Sequence, residues 1–171
     1  TSAGGGDVMY RIVPRLGNPG IIVHGLKVKP GKPTIIAVLD GKIFFGLPGY
    51  PVSCLTIFSL VVKPVILEVM GLKEVREEFV DARLRSRVLG VRGRVKLQPV
   101  ALSPLKGELV AFPVAATSGS IGMLSRCDGF VEIPDNVDYV EENSIVKVKL
   151  YEKVDFEKRL LFIGSHCPVV E

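Results

Sequence analysis

The sequence has few residues that could form a disulfide framework or a zinc site. Its three cysteines, Cys54, Cys127 and Cys167, form no CxxC pair, and neither His24 nor His166 has a cysteine or carboxylate at ligand spacing. The common structural zinc motifs are therefore excluded, and we expect both histidines to be structural. An odd cysteine count without a signal peptide is typical of a reducing compartment, so we expect a cytoplasmic protein.

The chain also lacks an uninterrupted apolar run long enough for a membrane span. The longest run, from Tyr50 to Val62, stops at Lys63 and Pro64, short of the roughly 20 residues that a spanning helix needs. The 22 Lys and Arg residues exceed the 18 Asp and Glu residues by only four. So mild an excess requires neither a membrane nor a nucleic-acid partner, but it suits a small anionic ligand.

The glycine-rich start, TSAGGGD, lacks both an initial methionine and the strand that would normally precede such a loop. We therefore expect the chain to be part of a longer protein. Backbone N–H groups at Gly4 and its neighbours, just before a helix, favour a phosphate, and Asp7 could hold a Mg²⁺ ion that bridges it. Asp is also a common N-cap, so a purely structural Asp7 is an equal alternative.

Residues 1–75 show an α/β pattern. The spacing of Val8, Ile12 and Leu16 predicts a helix that ends at Gly17. Three β-branched strands follow, GIIVHGLKV, TIIAVL and KIFFGL, the last two joined by an Asp-Gly turn. A second helix is predicted from Pro51 to Gly71, with a kink at Pro64 and an apolar stripe made of Val52, Leu55, Val62, Ile66 and Val69.

Residues 76–152 show a different pattern, in which short alternating strands follow one another without a helical period. The segments DARLRSRV, GRVKLQPV, ELVAFPV, DGFVEIP and SIVKVKLY predict a small all-β barrel or closed sandwich. Residues 153–171 form a tail that could begin a further domain. The expected fold class is thus an α/β segment followed by a small all-β barrel.

Two motifs in the α/β segment favour an anion site. In KPGKPT, the Pro30-Gly31 pair predicts a type II turn that would bring Lys29 and Lys32 together. In GLPGYPVS, Pro48 and Gly49 form a turn between a strand and a helix, and Ser53 follows near the positive end of that helix. The structural alternatives are solvated lysines and a connection that only begins the helix.

Basic residues also alternate along two predicted barrel strands, as Arg83, Arg85 and Arg87 and then as Arg92, Arg94 and Lys96. A nucleic-acid surface is one interpretation of this stripe, and it would show a steep salt dependence. No aromatic residues are interleaved with the arginines, as base stacking would require. A solvated barrel surface is the other interpretation, and we prefer it.

Taken together, TSAGGGD, KPGKPT and GLPGYPVS resemble the C-terminal part of the molybdopterin molybdenumtransferases, the MoeA family, which includes the gephyrin E domain and its plant counterpart. Gly93-Arg94, SGS at 118–120 and DGFVEIP are similar to the small β-barrel of that family, its domain IV. The resemblance covers residues 1 to about 151. It implies that residues 1–75 are the distal part of a three-layer molybdopterin-binding α/β/α domain.

The activity implied by this resemblance is Mg²⁺-dependent hydrolysis of adenylylated molybdopterin, followed by insertion of molybdate. Lys29 and Lys32 would hold the oxyanion, and Asp7 would be the metal-associated carboxylate. The remaining positions implied to bind substrate are Ser2, Gly4, Gly31, Pro33, Pro48, Gly49, Ser53, Arg94 and Ser120. The family also implies a homodimer, and a catalytic site completed by domains that this chain lacks.

One position departs from the family pattern. Many members have Asn where this chain has Tyr50, which removes a good N-cap from the following helix. The alternative function is that of a scaffold or binding module, since gephyrin-type relatives anchor other proteins with the same fold. A pure scaffold would have no need of charge at Lys29, Lys32 and Asp7, and this sequence keeps all three.

Overall fold

The computed structural model of the chain describes residues 8–72, 78–115, 122 and 125–152. An α/β segment comes first and a small β-barrel follows it, which confirms the fold class expected from the sequence. The assignment of residues 1–75 and 76–152 to separate domains stays a prediction, and the tail at 153–171 lies outside the described residues.

The N-terminal helix is shorter than predicted and turns a different side to the core. Helix α1 (Met9–Ile12) passes into a 3₁₀ turn (Val13–Arg15), because Pro14 has no N–H group to continue the α-helical bonds. Val13 is fully buried. The side chains whose spacing predicted the helix are exposed, namely Val8, Ile12 and Leu16.

The predicted strand GIIVHGLKV is two strands in the structure. Strand β1 (Pro19–His24) ends before Gly25, whose φ is 88°, and a separate two-residue strand, β2 (Val28–Lys29), follows. Positive φ at Gly25 turns the backbone out of the extended conformation, which breaks the strand. As a result β2 leaves the first sheet and is available to pair elsewhere.

Three antiparallel strands make up the first sheet, in which β3 (Ile35–Leu39) lies between β1 and β4 (Lys42–Gly46). Asp40 and Gly41 join β3 to β4 with φ values of 49° and 81°. Two successive positive values are what a type I′ hairpin turn requires. The predicted Asp-Gly hairpin is therefore confirmed.

A continuous helical run follows the first sheet. It consists of α2 (Pro51–Ile57), a π-helical turn (Phe58–Val62) and α3 (Lys63–Val69). The π turn ends at Val62, two residues before Pro64, so the predicted kink takes the form of a wider turn that accommodates a residue without an N–H group. The predicted apolar stripe is wrong in part. Val52 and Val62 are buried. Leu55 is exposed because α2 packs through Val52, Ser53, Thr56 and Ile57, and Ile66 and Val69 are exposed on α3, which buries none of its residues.

By length and composition alone, the helical run Pro51–Val69 could cross a membrane. It has 19 residues and a mean hydropathy of 2.0, and 28% of the stretch is buried inside the structure. Lys63 and Pro64 interrupt the apolar run in the sequence, but the helix continues through them, as predicted. One such helix is weak evidence for a membrane span, because core helices of soluble proteins pass the same test.

The barrel is a closed ring of five strands. The ring order is β7 (Val95–Leu105), β8 (Glu108–Pro113), β5 (Phe79–Leu84), β11 (Ile145–Leu150) and β9 (Gly129–Ile133), and a β7–β9 pairing closes it. These are the five strands predicted from the sequence. Two further strands, β6 (Val88–Leu89) and β10 (Tyr139–Val140), pair with each other, and they were missed because two residues show no alternation. Leu84, Val100 and Val148 are among the fully buried core side chains.

A buried carboxylate accepts a backbone hydrogen bond from the middle of β7. The pairing of β7 with β9 stops at Val100 and Gly129, and the next residue back along the chain, Asp128, accepts a hydrogen bond at 2.6 Å from the Leu102 backbone N–H. Asp128 is 7% exposed. This side-chain hydrogen bond thus extends the contact between β7 and the start of β9 beyond the last backbone pair.

Replacing Asp128 with alanine should therefore destabilise the barrel. Removing the buried acceptor of the Leu102 N–H is expected to lower the free energy of unfolding by about 1 to 3 kcal/mol. Urea denaturation measures the change, and Asp135→Ala, at an exposed carboxylate on the same barrel, is the control. Equal midpoints for Asp128→Ala and Asp135→Ala would contradict this role.

Candidate anion-binding site

The loop between β1 and β3 carries the KPGKP motif. Two backbone hydrogen bonds close its base, from Gly25 N–H to the Thr34 C=O at 2.8 Å and from Leu26 N–H to the Lys32 C=O at 2.9 Å. The Thr34 hydroxyl donates to the Gly31 C=O at 2.7 Å. These bonds hold the backbone of the loop in place while the side chains of Lys29 and Lys32 stay exposed.

The chain bends at Pro30, and the hydrogen-bonded turn of the loop follows at Lys32 and Pro33. The Lys29–Pro30 peptide bond is cis. Gly31 does have the positive φ that was predicted, at 115°. This value lies where only glycine is unstrained, so the predicted need for glycine at this position is confirmed, and the type II turn stays a prediction.

Gly31 lies directly against helix α2. A Cβ atom at this position would come within 2.6 Å of Cγ1 of Ile57, which is 1% exposed. Ser53 lies four residues before Ile57 and therefore on the same face of the helix. The buried side of α2 thus places Ser53 one helical turn from the contact with Gly31, beside the loop that carries both lysines.

Between β4 and α2 the chain bends at Gly49 and Tyr50, one residue after the predicted Pro48-Gly49 turn. Pro48 is buried, Gly49 is exposed and Pro51 is the first helical residue. Tyr50 is the N-cap residue, but it is 63% exposed and its side chain makes no capping hydrogen bond. Because Tyr50 stands where many family members have Asn, the N-cap side chain does not bind the first N–H groups of α2.

Strand β2 joins the lysine loop to the barrel. It pairs in parallel with the start of β7, with Val28 opposite Val95 and Lys29 opposite Lys96, and the Val95 N–H donates to the Lys27 C=O at 2.8 Å. Arg94 directly precedes this pairing and is half-buried. The structure therefore brings the predicted site residue Arg94 next to the strand that carries Lys29.

Sequence reasoning missed Lys96 as a site residue. It belongs to the alternating basic stripe and looks equivalent there to its neighbours, but its register opposite Lys29 sets it apart. Its ammonium group donates to the Leu89 C=O at 2.7 Å. Burial, and secondly the charge of Lys29, lower the pKa of Lys96 below its usual value.

The other arginines of the stripe are paired with carboxylates on the barrel surface. The ion pairs are Arg83 with Glu108, Arg85 with Glu142, Arg87 with Glu141 and Arg92 with Asp138, at 2.7 to 3.2 Å. The guanidinium of Arg83 lowers the pKa of Glu108, and that of Arg92 lowers the pKa of Asp138. Such mutual neutralisation favours a solvated surface over a nucleic-acid interface.

The cations near the lysine loop are different. Within residues 8–72, 78–115 and 125–152, no carboxylate forms an ion pair with Lys29, Lys32, Arg94 or Lys96. Uncompensated cations on adjoining backbone segments can bind an oxyanion through charge-assisted hydrogen bonds. The junction of the loop, α2 and the barrel is therefore suited to an anion.

Four of the predicted site residues, Ser2, Gly4, Asp7 and Ser120, lie outside the described residues. In the portion of the chain that is described, no group of three or more His, Cys, Asp or Glu side chains could hold a metal ion. The predicted role of Pro33, which is half-buried next to Lys32, stays a prediction.

Two protein-family models match the chain. The model "Probable molybdopterin binding domain" matches residues 1–68, and "MoeA C-terminal region (domain IV)" matches residues 81–151. The first match falls on the α/β segment and the second on the barrel. Both sides of the candidate anion site therefore fall within a matched region.

Curated relatives match across both parts. A putative molybdopterin biosynthesis protein of Methanocaldococcus jannaschii is 31% identical over 151 residues, which are 88% of this chain and 34% of that protein. A molybdopterin molybdenumtransferase of Staphylococcus epidermidis is 28% identical over 142 residues, 82% of this chain and 34% of that protein. The chain thus spans about a third of the length of the curated relatives it matches.

Solved structures show the same likeness. A molybdopterin biosynthesis MoeA protein of Pyrococcus horikoshii superimposes with a TM-score of 0.71 at 41% identity, over 88% of this chain and 36% of that one. A molybdenum cofactor biosynthesis protein of Pyrococcus furiosus gives a TM-score of 0.62 at 29% identity, over 77% of this chain and 45% of that one.

Proposed function

The chain belongs to the MoeA family of molybdenum cofactor biosynthesis proteins, and on that premise we propose that it forms the molybdate-binding part of a molybdopterin molybdenumtransferase. The observation that carries the proposal is the group of uncompensated cations around the KPGKP loop. Lys29 and Lys32 come from the α/β segment and Arg94 comes from the barrel, so the site uses both parts of the chain.

The described residues would act on molybdate by binding and orienting it. Molybdate is a tetrahedral dianion, and the ammonium groups of Lys29 and Lys32 and the guanidinium of Arg94 would donate hydrogen bonds to its oxygens. Charge-assisted bonds of this kind are about twice as strong as neutral ones. By offsetting the negative charge of molybdate, they would let it approach the dithiolene sulfurs of molybdopterin, which are also electron-rich.

The proposal extends to steps outside the described residues. Asp7 and the glycine loop around Gly4 would hold the phosphate side of adenylylated molybdopterin together with Mg²⁺, and Ser2 and Ser120 would complete the substrate contacts. Mg²⁺ would offset charge on the phosphates while AMP is hydrolysed away. We further propose a cytoplasmic homodimer that acts on a small molecule and has no nucleic-acid or membrane partner.

The test is an assay of AMP release by the intact protein from adenylylated molybdopterin. We expect AMP release that depends on molybdate and yields molybdenum cofactor, and we expect both to be lost in the double variant Lys29→Ala, Lys32→Ala. A folded wild-type protein that neither binds molybdate nor releases AMP would contradict the proposal, and it would support the scaffold alternative of the gephyrin type.

A further inference from the structure

Two lysines face each other across the junction between the α/β segment and the barrel. Lys29 on β2 and Lys96 on β7 are register partners in a parallel pairing, so their side chains leave the same face of the sheet. Neighbouring strands lie about 4.8 Å apart, which brings the two positive charges within direct electrostatic range. Lys96 is half-buried, and its bond to the Leu89 C=O fixes the direction of its side chain.

The surroundings of the pair do not compensate its charge. Lys27 and Arg94 lie directly before β2 and β7 and add further positive charge. On its other side β7 pairs with β9, where the partner of Lys96 is Ile133, an apolar residue that is 1% exposed. In the part of the chain that the structure describes, neither lysine has a carboxylate partner. Placing like charges together is unfavourable unless a ligand offsets them.

We propose that Lys96 is a specificity-determining residue of the anion site, which together with Lys29 selects a doubly charged tetrahedral oxyanion over a singly charged one of the same shape. The inference rests on the proposed function, because it takes Lys29 to be a ligand of the oxyanion. A dianion offsets more of the positive charge of the site than a monoanion of equal size does. The gain on binding therefore depends on the charge of the anion, and the ammonium group of Lys96 strengthens that dependence.

Molybdate and perrhenate are the matched probes, since both are tetrahedral oxyanions and they carry two and one negative charges respectively. Isothermal titration calorimetry on the intact protein, at neutral pH and fixed ionic strength, gives the Kd of each anion. The variants are Lys96→Met, which keeps the aliphatic stem without the charge, and Lys96→Arg, which keeps the charge. Lys147→Met, at an exposed lysine of the barrel, controls for the loss of one net charge.

We expect Lys96→Met to weaken molybdate binding by about tenfold and perrhenate binding by no more than about threefold, so that discrimination between the two falls. Lys96→Arg and Lys147→Met should keep the wild-type ratio of the two Kd values. Urea denaturation without an anion separates this result from damage to the barrel. Equal weakening of both anions by Lys96→Met, together with a lower free energy of unfolding, would overturn the inference and leave Lys96 with a structural role.

The outcomes also distinguish this inference from the proposed function. If Lys29→Ala and Lys32→Ala lose molybdate binding while Lys96→Met keeps the wild-type ratio, the selectivity role of Lys96 is wrong and the proposed function stands. If none of the three variants changes the Kd of molybdate, the anion binds elsewhere and both fail.

Discussion

Replacing Lys29 or Lys32 with alanine should weaken the binding of molybdate to the intact protein by about 5- to 150-fold for each residue. The physical reason is the loss of one charge-assisted hydrogen bond to a partly desolvated dianion, which costs about 1 to 3 kcal/mol. Both side chains are exposed, so neither substitution removes packing from the core. Equilibrium dialysis with molybdate measures the change in Kd.

The control must remove one positive charge without disturbing the fold. Lys147 lies on an exposed face of β11 in regular strand conformation, so Lys147→Ala is the matched variant. If Lys29→Ala and Lys32→Ala bind molybdate as tightly as Lys147→Ala does, the KPGKP loop is not the anion site.

Replacing Gly31 with alanine should destabilise the protein by about 2 to 5 kcal/mol and weaken molybdate binding as well. Two effects add. A φ of 115° is strained for any residue with a Cβ atom, and the new methyl group would overlap the side chain of Ile57, which is buried. The loop must then move away from α2, and Lys29 and Lys32 move with it.

Gly41→Ala separates these two effects. Gly41 also has positive φ, 81°, but a Cβ atom there would meet nothing within 4 Å. We therefore expect Gly41→Ala to show only the backbone cost, about 1 kcal/mol, with unchanged molybdate affinity. Urea denaturation and molybdate titration of both variants give the comparison. Equal effects of Gly31→Ala and Gly41→Ala would show that the contact with Ile57 does not hold the loop.

Patterns that repeat over several residues could be predicted from the sequence. The five ring strands of the barrel alternate over five to eleven residues, and the Asp40-Gly41 hairpin has a turn chemistry with few alternatives. Which side of a short helix is buried could not be predicted in the same way. Val13 is buried while Ile12 is exposed, because Pro14 changes the helix type within one turn and so changes the angle between successive side chains.

The candidate site was predictable in its residue types and not in its assembly. The lysines, Gly31 and Ser53 stand out through local turn and helix signals. The pairing of β2 with β7 has no local signal, because two residues show no period and their partners are distant in the sequence. By alternation alone Lys96 resembles Arg83 or Arg92, and only the register of that pairing shows that it has Lys29 as its neighbour while they have carboxylates.

The β2–β7 pairing also couples the affinity for the anion to the contact between the lysine loop and the barrel. Only two residues of each strand are paired, so a small rotation of the barrel away from the lysine loop would break the connection and carry Arg94 and Lys96 away from Lys29. An anion that contacts both sides binds the closed arrangement in preference to the open one. By thermodynamic reciprocity, the anion stabilises the closed arrangement by the same factor by which closure raises the affinity for the anion. Bound molybdate would therefore hold the two parts of the chain together.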